Sequence, residues 1–296
     1  MDTLIRNYQL ERALRLNWLI ATDLDGTLLD DDYPLEVAAA AIDGLFELPE
    51  VAGCPVRLRV VLATSKTLAE GARLAGRCAS RPILAFENGA GIAWRAAACT
   101  RRGTERLHGY EIESGGVDYG RIRRRLLRLR EKPGYRFRGF GDMSAQEVAG
   151  RTGLDEESAA LAKQRMASEP LVWQGTRAAL QSFQCDLGDL GLTLELGGRF
   201  HHVAGRRNKA GAVAAIRRYL AREGQETVVT LACGDAPNDA EMMLAADYAL
   251  VFPGRNGGYA LPAGSTVIHA PGAGPETWQY CVSRIIQSNS QEADSG

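Results

Sequence analysis

The sequence predicts an α/β protein, a mainly parallel sheet covered by helices in three layers, interrupted by a second α/β module. Three observations carry this. Short apolar runs at Trp18–Ala21, Leu58–Ala63, Pro82–Phe86 and Thr227–Cys233 read as buried strands. Helical stretches alternate with them near both ends of the chain, the pattern of parallel strands joined by crossover helices. Between Ala93 and Leu196 that rhythm is replaced by longer polar intervals rich in Arg and Gly.

In chain order, Trp18–Ala21 runs into Asp23-Leu24-Asp25-Gly26-Thr27, two carboxylates and a turn at the C-terminal end of a strand. That end of an open α/β sheet is where ligands bind. A helix from Pro34 to Leu48 follows, with Asp30, Asp31 and Asp32 near its start to complement the helix dipole. Leu58–Ala63 ends at Thr64-Ser65-Lys66, followed by a helix over 67–78, and Pro82–Phe86 ends at Glu87-Asn88-Gly89. In the middle module, helices are expected at Tyr119–Glu131 and Glu156–Met166, and strands at Leu171–Trp173 and Leu192–Leu196. After Lys209 come a helix Ala210–Arg222, the strand Thr227–Cys233, the cluster Gly234-Asp235-Ala236-Pro237-Asn238-Asp239 and a helix Ala240–Ala246. Strands at Tyr248–Phe252 and Thr266–His269 and a helix Glu276–Ser288 close the domain, and the polar end from Gln287 reads as disordered. Residues 1–91 and 205–296 are thus assigned to the core and 92–204 to the inserted module, with links near Gly91 and Gly205.

Composition narrows the function classes. The 296 residues are 45% hydrophobic and 24% charged with a formal net charge of -1, which suits a folded protein without a global field for nucleic acid. Arginines cluster between Arg121 and Arg130 without interleaved aromatics, the pattern of a solvated helix face. Six well-separated cysteines form no C-x-x-C pair and read as reduced thiols. The N-terminus lacks the apolar stretch of a signal peptide, and no run reaches a membrane-span length. The expectation is a cytoplasmic protein, monomer or homodimer, with a small-molecule substrate and neither nucleic acid nor membrane as partner.

Four clusters stand at strand ends or a helix start: Asp23/Asp25, Thr64/Ser65, Lys209 and Asp235/Asn238/Asp239. A lone Asp-x-Asp is most often a turn, and Ser65 also suits a helix cap. Taken together the clusters describe a site for a divalent cation and a phosphate. Carboxylate oxygens suit Mg²⁺, with Asp23 and Asp235 as the best ligands and Asp25 contributing its backbone carbonyl. Lys209 adds positive charge for a phosphoryl group, and Thr64 and Ser65 offer donors to its oxygens.

These motifs, in this order, resemble the four motifs of the haloacid dehalogenase-like (HAD) phosphatase superfamily, whose core is Rossmann-like. The resemblance implies that Asp23 is a nucleophile forming an aspartyl-phosphate and that Asp25 is the general acid/base. It implies metal ligation by Asp23, Asp25, Asp235 and Asp239, phosphate binding by Thr64, Ser65, Lys209 and Asn238, and an α/β cap in the insert. Within the insert the chain resembles the mannosyl-3-phosphoglycerate phosphatase branch through Glu87-Asn88-Gly89, Gly139-Phe140-Gly141-Asp142-Met143 and Arg165-Met166-Ala167-Ser168-Glu169-Pro170. Gly197-Gly198-Arg199-Phe200-His201-His202 and Gly272–Trp278 continue the match. The branch implies substrate contacts from Arg165, Ser168, Glu169, Arg199 and His202. An i,i+4 helix pair for Arg165 and Glu169, and structural histidines at 201 and 202, are the competing readings. The branch usually has Asp-Lys-Gly where this chain has Asn208-Lys209-Ala210, and Ala210 argues against a left-handed turn there. The expected activity is Mg²⁺-dependent hydrolysis of mannosyl-3-phosphoglycerate to mannosylglycerate. Alternatives are another sugar phosphate (glucosyl-3-phosphoglycerate, sucrose phosphate), a phosphohexomutase, or a non-catalytic phosphosugar sensor.

Overall fold

A computed structural model describes residues 17–29, 34–47, 57–95, 105–197, 200–224, 228–254, 261 and 266–292. The chain divides into two compact units, Met1–Leu62 with Leu74–Pro82 and Val213–Gly296, and Ala63–Arg73 with Ile83–Ala212.

Among the described residues the first unit holds five strands: β1 (Asn17–Thr22), β2 (Arg57–Ala63, to Leu62), β11 (Val228–Gly234), β12 (Tyr248–Val251) and β13 (Thr266–His269). All pair in parallel, in the order β13-β12-β11-β1-β2. Trp18 to Ala21 are buried to 1% exposure or less, so β1 is interior on both faces and its sequence is a continuous apolar run. The sequence continues from β1 to one side and reaches β11 on the other, which makes the gap between their carboxyl ends a topological switch point. Register brings those ends level, with Thr22 opposite Cys233. Helices α1 (Leu35–Gly44), α8 (Ala240–Leu244) and α9 (Pro275–Glu292) belong to this unit. Trp278 of α9 is fully buried and its indole N–H donates to the Thr22 hydroxyl (2.9 Å). The expected disorder from Gln287 is corrected as far as Glu292, where α9 ends, and residues 293–296 lie outside the described residues. Asp30, Asp31 and Asp32 and the end of the first expected helix at Leu48 lie outside the described residues.

The second unit begins with the loop after β2 and the start of α2 (Leu68–Ala75). Its strands β3 (Ile83–Phe86), β4 (Gly91–Arg95), β5 (Glu105–Leu107) and β6 (Tyr110–Ser114) pair antiparallel in the order β3-β4-β6-β5. A separate antiparallel sheet has the order β7-β8-β10-β9, from β7 (Phe137–Gly139), β8 (Ser168–Trp173), β9 (Leu192–Leu196) and β10 (His201–Gly205). Helices α3 (Tyr119–Arg130) and α6 (Arg177–Asp189) pack on this sheet through Ile122, Leu126, Phe183 and Leu187 against Phe137, Leu171 and Val203. Helices α4 (Ala145–Thr152) and α5 (Glu156–Ala162) close a smaller core around Phe140 and Val148. Helix α4 carries a reciprocal Ser144/Glu147 cap at its start and ends on left-handed Gly153.

One helix end departs from expectation. Helix α5 stops at Ala162, not Met166: the Gln164 and Arg165 amides turn back to the Leu161 and Lys163 carbonyls (2.9 and 2.8 Å), and those of Met166 and Ala167 donate to the Glu87 carboxylate (2.7 and 3.0 Å). Arg165 therefore lies in a loop and Glu169 in β8, and the i,i+4 helix pair does not form. Helix α7 (Lys209–Gly224) starts at Lys209 with Ala210 in helical conformation. Among the described residues no helix is long and apolar enough to cross a membrane.

Candidate active site

In the first unit, the chain leaves β1 at Asp23, whose amide donates to the Cys233 carbonyl of β11 (2.9 Å). This bond anchors Asp23 beside the end of β11, where Asp235 begins the next loop. The loop after Asp23 is tight: the Leu24 carbonyl accepts from Thr27 and Leu29 (3.3 and 2.7 Å), and Gly26 donates to Leu29 (2.9 Å). Gly26 has φ +84°, and a Cβ there would lie 2.4 Å from Asp235 Oδ2. Only glycine meets both demands. On the other side, a Cβ on Gly234 would lie 2.5 Å from the Asp239 Cβ, and Asp239 Oδ2 accepts from the Ala236 amide (3.3 Å).

The result is a cluster in which Asp23, Asp235 and Asp239 each place a carboxylate oxygen within 4.8 Å of the others. Asp23 and Asp239 are buried and Asp235 is half-buried. Two unit charges ~4 Å apart repel by about 4 kcal/mol at an effective dielectric of ~20. A divalent cation relieves that repulsion, and three hard carboxylate oxygens fit Mg²⁺, with water and substrate oxygens completing its shell. Of the four expected ligands the structure brings these three together by their side chains, while the Asp25 side chain is exposed. Asn238 is half-buried in the short turn Pro237–Asp239.

In the second unit, Thr64 is buried, its amide donating to Ala85 (3.0 Å) and its hydroxyl accepting from the Lys66 amide (3.1 Å). The cap of α2 is Thr67, paired reciprocally with Glu70, so Ser65 is not the helix cap. Ser65 is half-buried and its carbonyl accepts from Arg165 Nη1 (2.8 Å). Lys209 is 2% exposed at the first position of α7. Asn208 caps that helix, its Oδ1 accepting from the Gly211 amide (2.9 Å). Asparagine is among the residues that favour this cap position.

The expected substrate residues are distributed as follows. Ser168 is buried and donates to Glu87 (2.7 Å). Glu169 is fully buried and accepts from Tyr119 Oη (2.8 Å), Arg123 Nη1 (2.9 Å) and the Gly141 amide (2.9 Å). Burial raises its pKa against the pull of these donors. Arg123 also pairs with Asp142, and Arg130 does the same. Against a burial penalty, these guanidinium hydrogen bonds hold the Asp142 carboxyl well below the usual range. His202 in β10 is buried, with no partner for Nδ1 among the described residues. Burial first, then the positive charges of Arg165 and Lys209, push its pKa down to about 3, so it is neutral at pH 7. Arg199 lies outside the described residues.

Two residues carry more than their sequence suggested. Glu87 grips residues 166–168, and neighbouring Asn88 is 6% exposed with no hydrogen-bond partner for its Oδ1 among the described residues. Both have positive φ (51° and 55°) without being glycine. The only sequence signal was the run Glu87-Asn88-Gly89 itself, whose glycine marks a turn.

No family model matches the chain. Its fold is similar to that of a protein from Thermoplasma acidophilum, with a TM-score of 0.62 at 16% identity over 92% of this chain and 100% of that one. A phosphatase of the haloalkanoate (HAD) superfamily from Bacteroides thetaiotaomicron gives 0.60 at 15% identity, covering 92% and 96%. A sucrose-phosphatase from Synechocystis sp., in complex with sucrose and phosphate, gives 0.54 at 15%, covering 91% and 98%. The fold is thus that of the HAD phosphatases. In sequence the chain is 32% identical over 275 residues to a glucosyl-3-phosphoglycerate/mannosyl-3-phosphoglycerate phosphatase of Methanococcoides burtonii, covering 92% of this chain and 98% of that protein. It belongs to the family of that enzyme and is a phosphoric monoester hydrolase.

Proposed function

We propose that this protein hydrolyses mannosyl-3-phosphoglycerate to mannosylglycerate and inorganic phosphate, with Mg²⁺ as cofactor. The observation that carries the reading is the Asp23–Asp235–Asp239 cluster at the switch point between β1 and β11. When bound there, Mg²⁺ supplies positive charge to the phosphoryl group and fixes its orientation. An Asp23 carboxylate oxygen attacks phosphorus, and the bond from phosphorus to the glycerate oxygen breaks. Asp25, carrying a proton, gives it to that leaving oxygen. The aspartyl-phosphate on Asp23 is then hydrolysed: Asp25 takes a proton from water, the water oxygen bonds to phosphorus, and the Asp23 carboxylate is released. An exposed Asp25 side chain suits a group that exchanges protons with water between the two half-reactions.

In this reading Lys209, Thr64, Ser65 and Asn238 bind phosphoryl oxygens, residues 92–204 act as the cap, and Arg165, Ser168, Glu169, Arg199 and His202 select the substrate. Neutral His202 suits a hydroxyl-rich sugar better than a second anion. The relative's name covers both glycosyl phosphoglycerates, so glucosyl-3-phosphoglycerate is the second substrate to consider. A cytoplasmic setting belongs to the same reading.

The test is a phosphate-release screen with Mg²⁺ over mannosyl- and glucosyl-3-phosphoglycerate, sucrose phosphate and hexose phosphates. Release from either phosphoglycerate ester, abolished in Asp23→Asn with folding retained, is the expected result. Isomerised sugar without phosphate release would make the protein a mutase. No release from any of these esters would leave the sensor reading.

A further inference from the structure

We propose that Glu87 is a positioning residue that fixes the Arg165–Ser168 segment relative to the Thr64–Lys66 turn, within the second unit. The proposal rests on the phosphatase reading for its catalytic consequence, but the coupling itself is visible in the hydrogen bonds. Glu87 is 1% exposed. Its carboxylate accepts from the Met166 amide (2.7 Å), the Ala167 amide (3.0 Å) and the Ser168 hydroxyl (2.7 Å). Its own amide donates to the Lys66 carbonyl (2.9 Å), and the next amide, Asn88, donates to Thr64 (2.8 Å). One residue thus holds two segments far apart in sequence. A second tie runs in parallel, from Arg165 Nη1 to the Ser65 carbonyl (2.8 Å), while Arg165 Nε donates to Ala162 (2.9 Å).

Two features argue that this grip serves geometry and not stability alone. Glu87 and Asn88 are consecutive non-glycine residues at φ 51° and 55°, the left-handed region that is unfavourable for Glu and more readily tolerated by Asn. Such strain persists where the surroundings over-determine it, and it gathers at functional sites. Gly89 (φ +81°) completes the turn, and a Cβ there would lie 2.3 Å from the Asn208 carbonyl, so the same turn abuts the start of Lys209's helix. The other feature is the carboxylate itself. Burying an ion is costly before its hydrogen bonds are counted, and apolar packing often serves stability as well. A carboxylate with three donors on one segment sets that segment's position in a way an apolar contact does not.

The consequence is a fixed reach between the groups proposed to hold the phosphoryl oxygens and those proposed to hold the rest of the substrate. Binding energy from the remote part is then available to the reacting centre. Glu87→Gln faces an NH₂ group toward backbone N–H donors and loses at least one bond. We expect KM for the glycosyl-3-phosphoglycerate to rise roughly tenfold or more, the scale of one lost charged hydrogen bond. For 4-nitrophenyl phosphate, which has no remote part, KM stays within about twofold. Hydrogen exchange gives a readout independent of turnover. The Met166 and Ala167 amides lose protection in Glu87→Gln, while Leu171 and Val203 in the adjoining strands keep theirs. Equal KM changes for both substrates, or unchanged protection at Met166 and Ala167, overturn the proposal. Should wild-type protein release no phosphate from any ester, the phosphatase reading fails and the exchange measurement alone decides on Glu87. If Glu87→Gln does not fold, Glu87→Asp, which keeps the charge but shortens the reach, takes its place with the same criteria.

Discussion

At the residue scale, single atoms decide what the proposed catalytic centre tolerates. A methyl group on Gly26 meets both an unfavourable φ and the Asp235 carboxylate. Gly26→Ala should cost about 1–2 kcal/mol in backbone strain alone, read as a lower urea midpoint. Because Asp235 must also move, Mg²⁺-dependent turnover should fall at least roughly tenfold, the effect of ~1.4 kcal/mol on a barrier. His202 makes a different prediction. Its folded pKa lies near 3, well below the ~6.5 of an unfolded chain, so the unfolded state takes up a proton that the folded state refuses. The stability this group contributes is complete above pH ~6.5 and is lost as pH falls toward 3, with a slope approaching about 1.4 kcal/mol per pH unit. His202→Gln should flatten the acid limb of stability against pH by about that slope, measured by urea unfolding at pH 4 to 7. An unchanged slope would mean that the imidazole is reached by water in the folded protein.

At the element scale, what was legible in the sequence was whatever an apolar run or a cap could announce. β1 and β11 were visible because strands buried on both faces are continuously hydrophobic, and their ends located Asp23 and Asp235 at the switch point. The continuation of β3 into β4, β6 and β5 was not, since β5 is three exposed residues with no alternation to read. The end of α5 was misplaced because Gln164 and Arg165 leave the helical bonding pattern, and a carboxylate some eighty residues earlier holds the two amides that follow. Glu169 was expected to contact substrate or to pair with Arg165 on a helix, yet Tyr119, Arg123 and Gly141 enclose it. No local pattern encodes such a network. Gly139 and Gly141 leave room for it, since a Cβ at Gly139 would lie 2.0 Å from Glu169 Oε1. Helix α7 offers the element-level test. Asn208→Ala removes its cap and should cost ~1 kcal/mol of stability, with the denaturant slope unchanged. A loss within error would show that the Lys209 end of the helix is held by other contacts.

At the scale of the whole molecule, binding at the carboxylate cluster should be felt in global unfolding. A ligand that binds only the folded state stabilises it by about 2.7 kcal/mol at a hundredfold excess over its dissociation constant. Millimolar Mg²⁺ should therefore raise the melting temperature, and excess EDTA should return it to the apo value. Asp239→Asn should weaken the Mg²⁺ response, while K⁺ at equal ionic strength should produce none. A melting temperature indifferent to Mg²⁺ would remove the cluster as a metal site.

The chain passes between its two units at residues 62/63, 73/74, 82/83 and 212/213. This bears on how substrate preference can be inherited or exchanged. A chimera that transplants residues 92–204 from a relative would import a foreign Arg165–Ser168 segment but retain the host's Glu87 and Thr64–Lys66. Recombination that respects the architecture has to move 63–73 together with 83–212, two fragments separated by nine residues of the other unit. Natural exchange of specificity in this fold is therefore expected to proceed by point substitution within the module more readily than by swapping it whole.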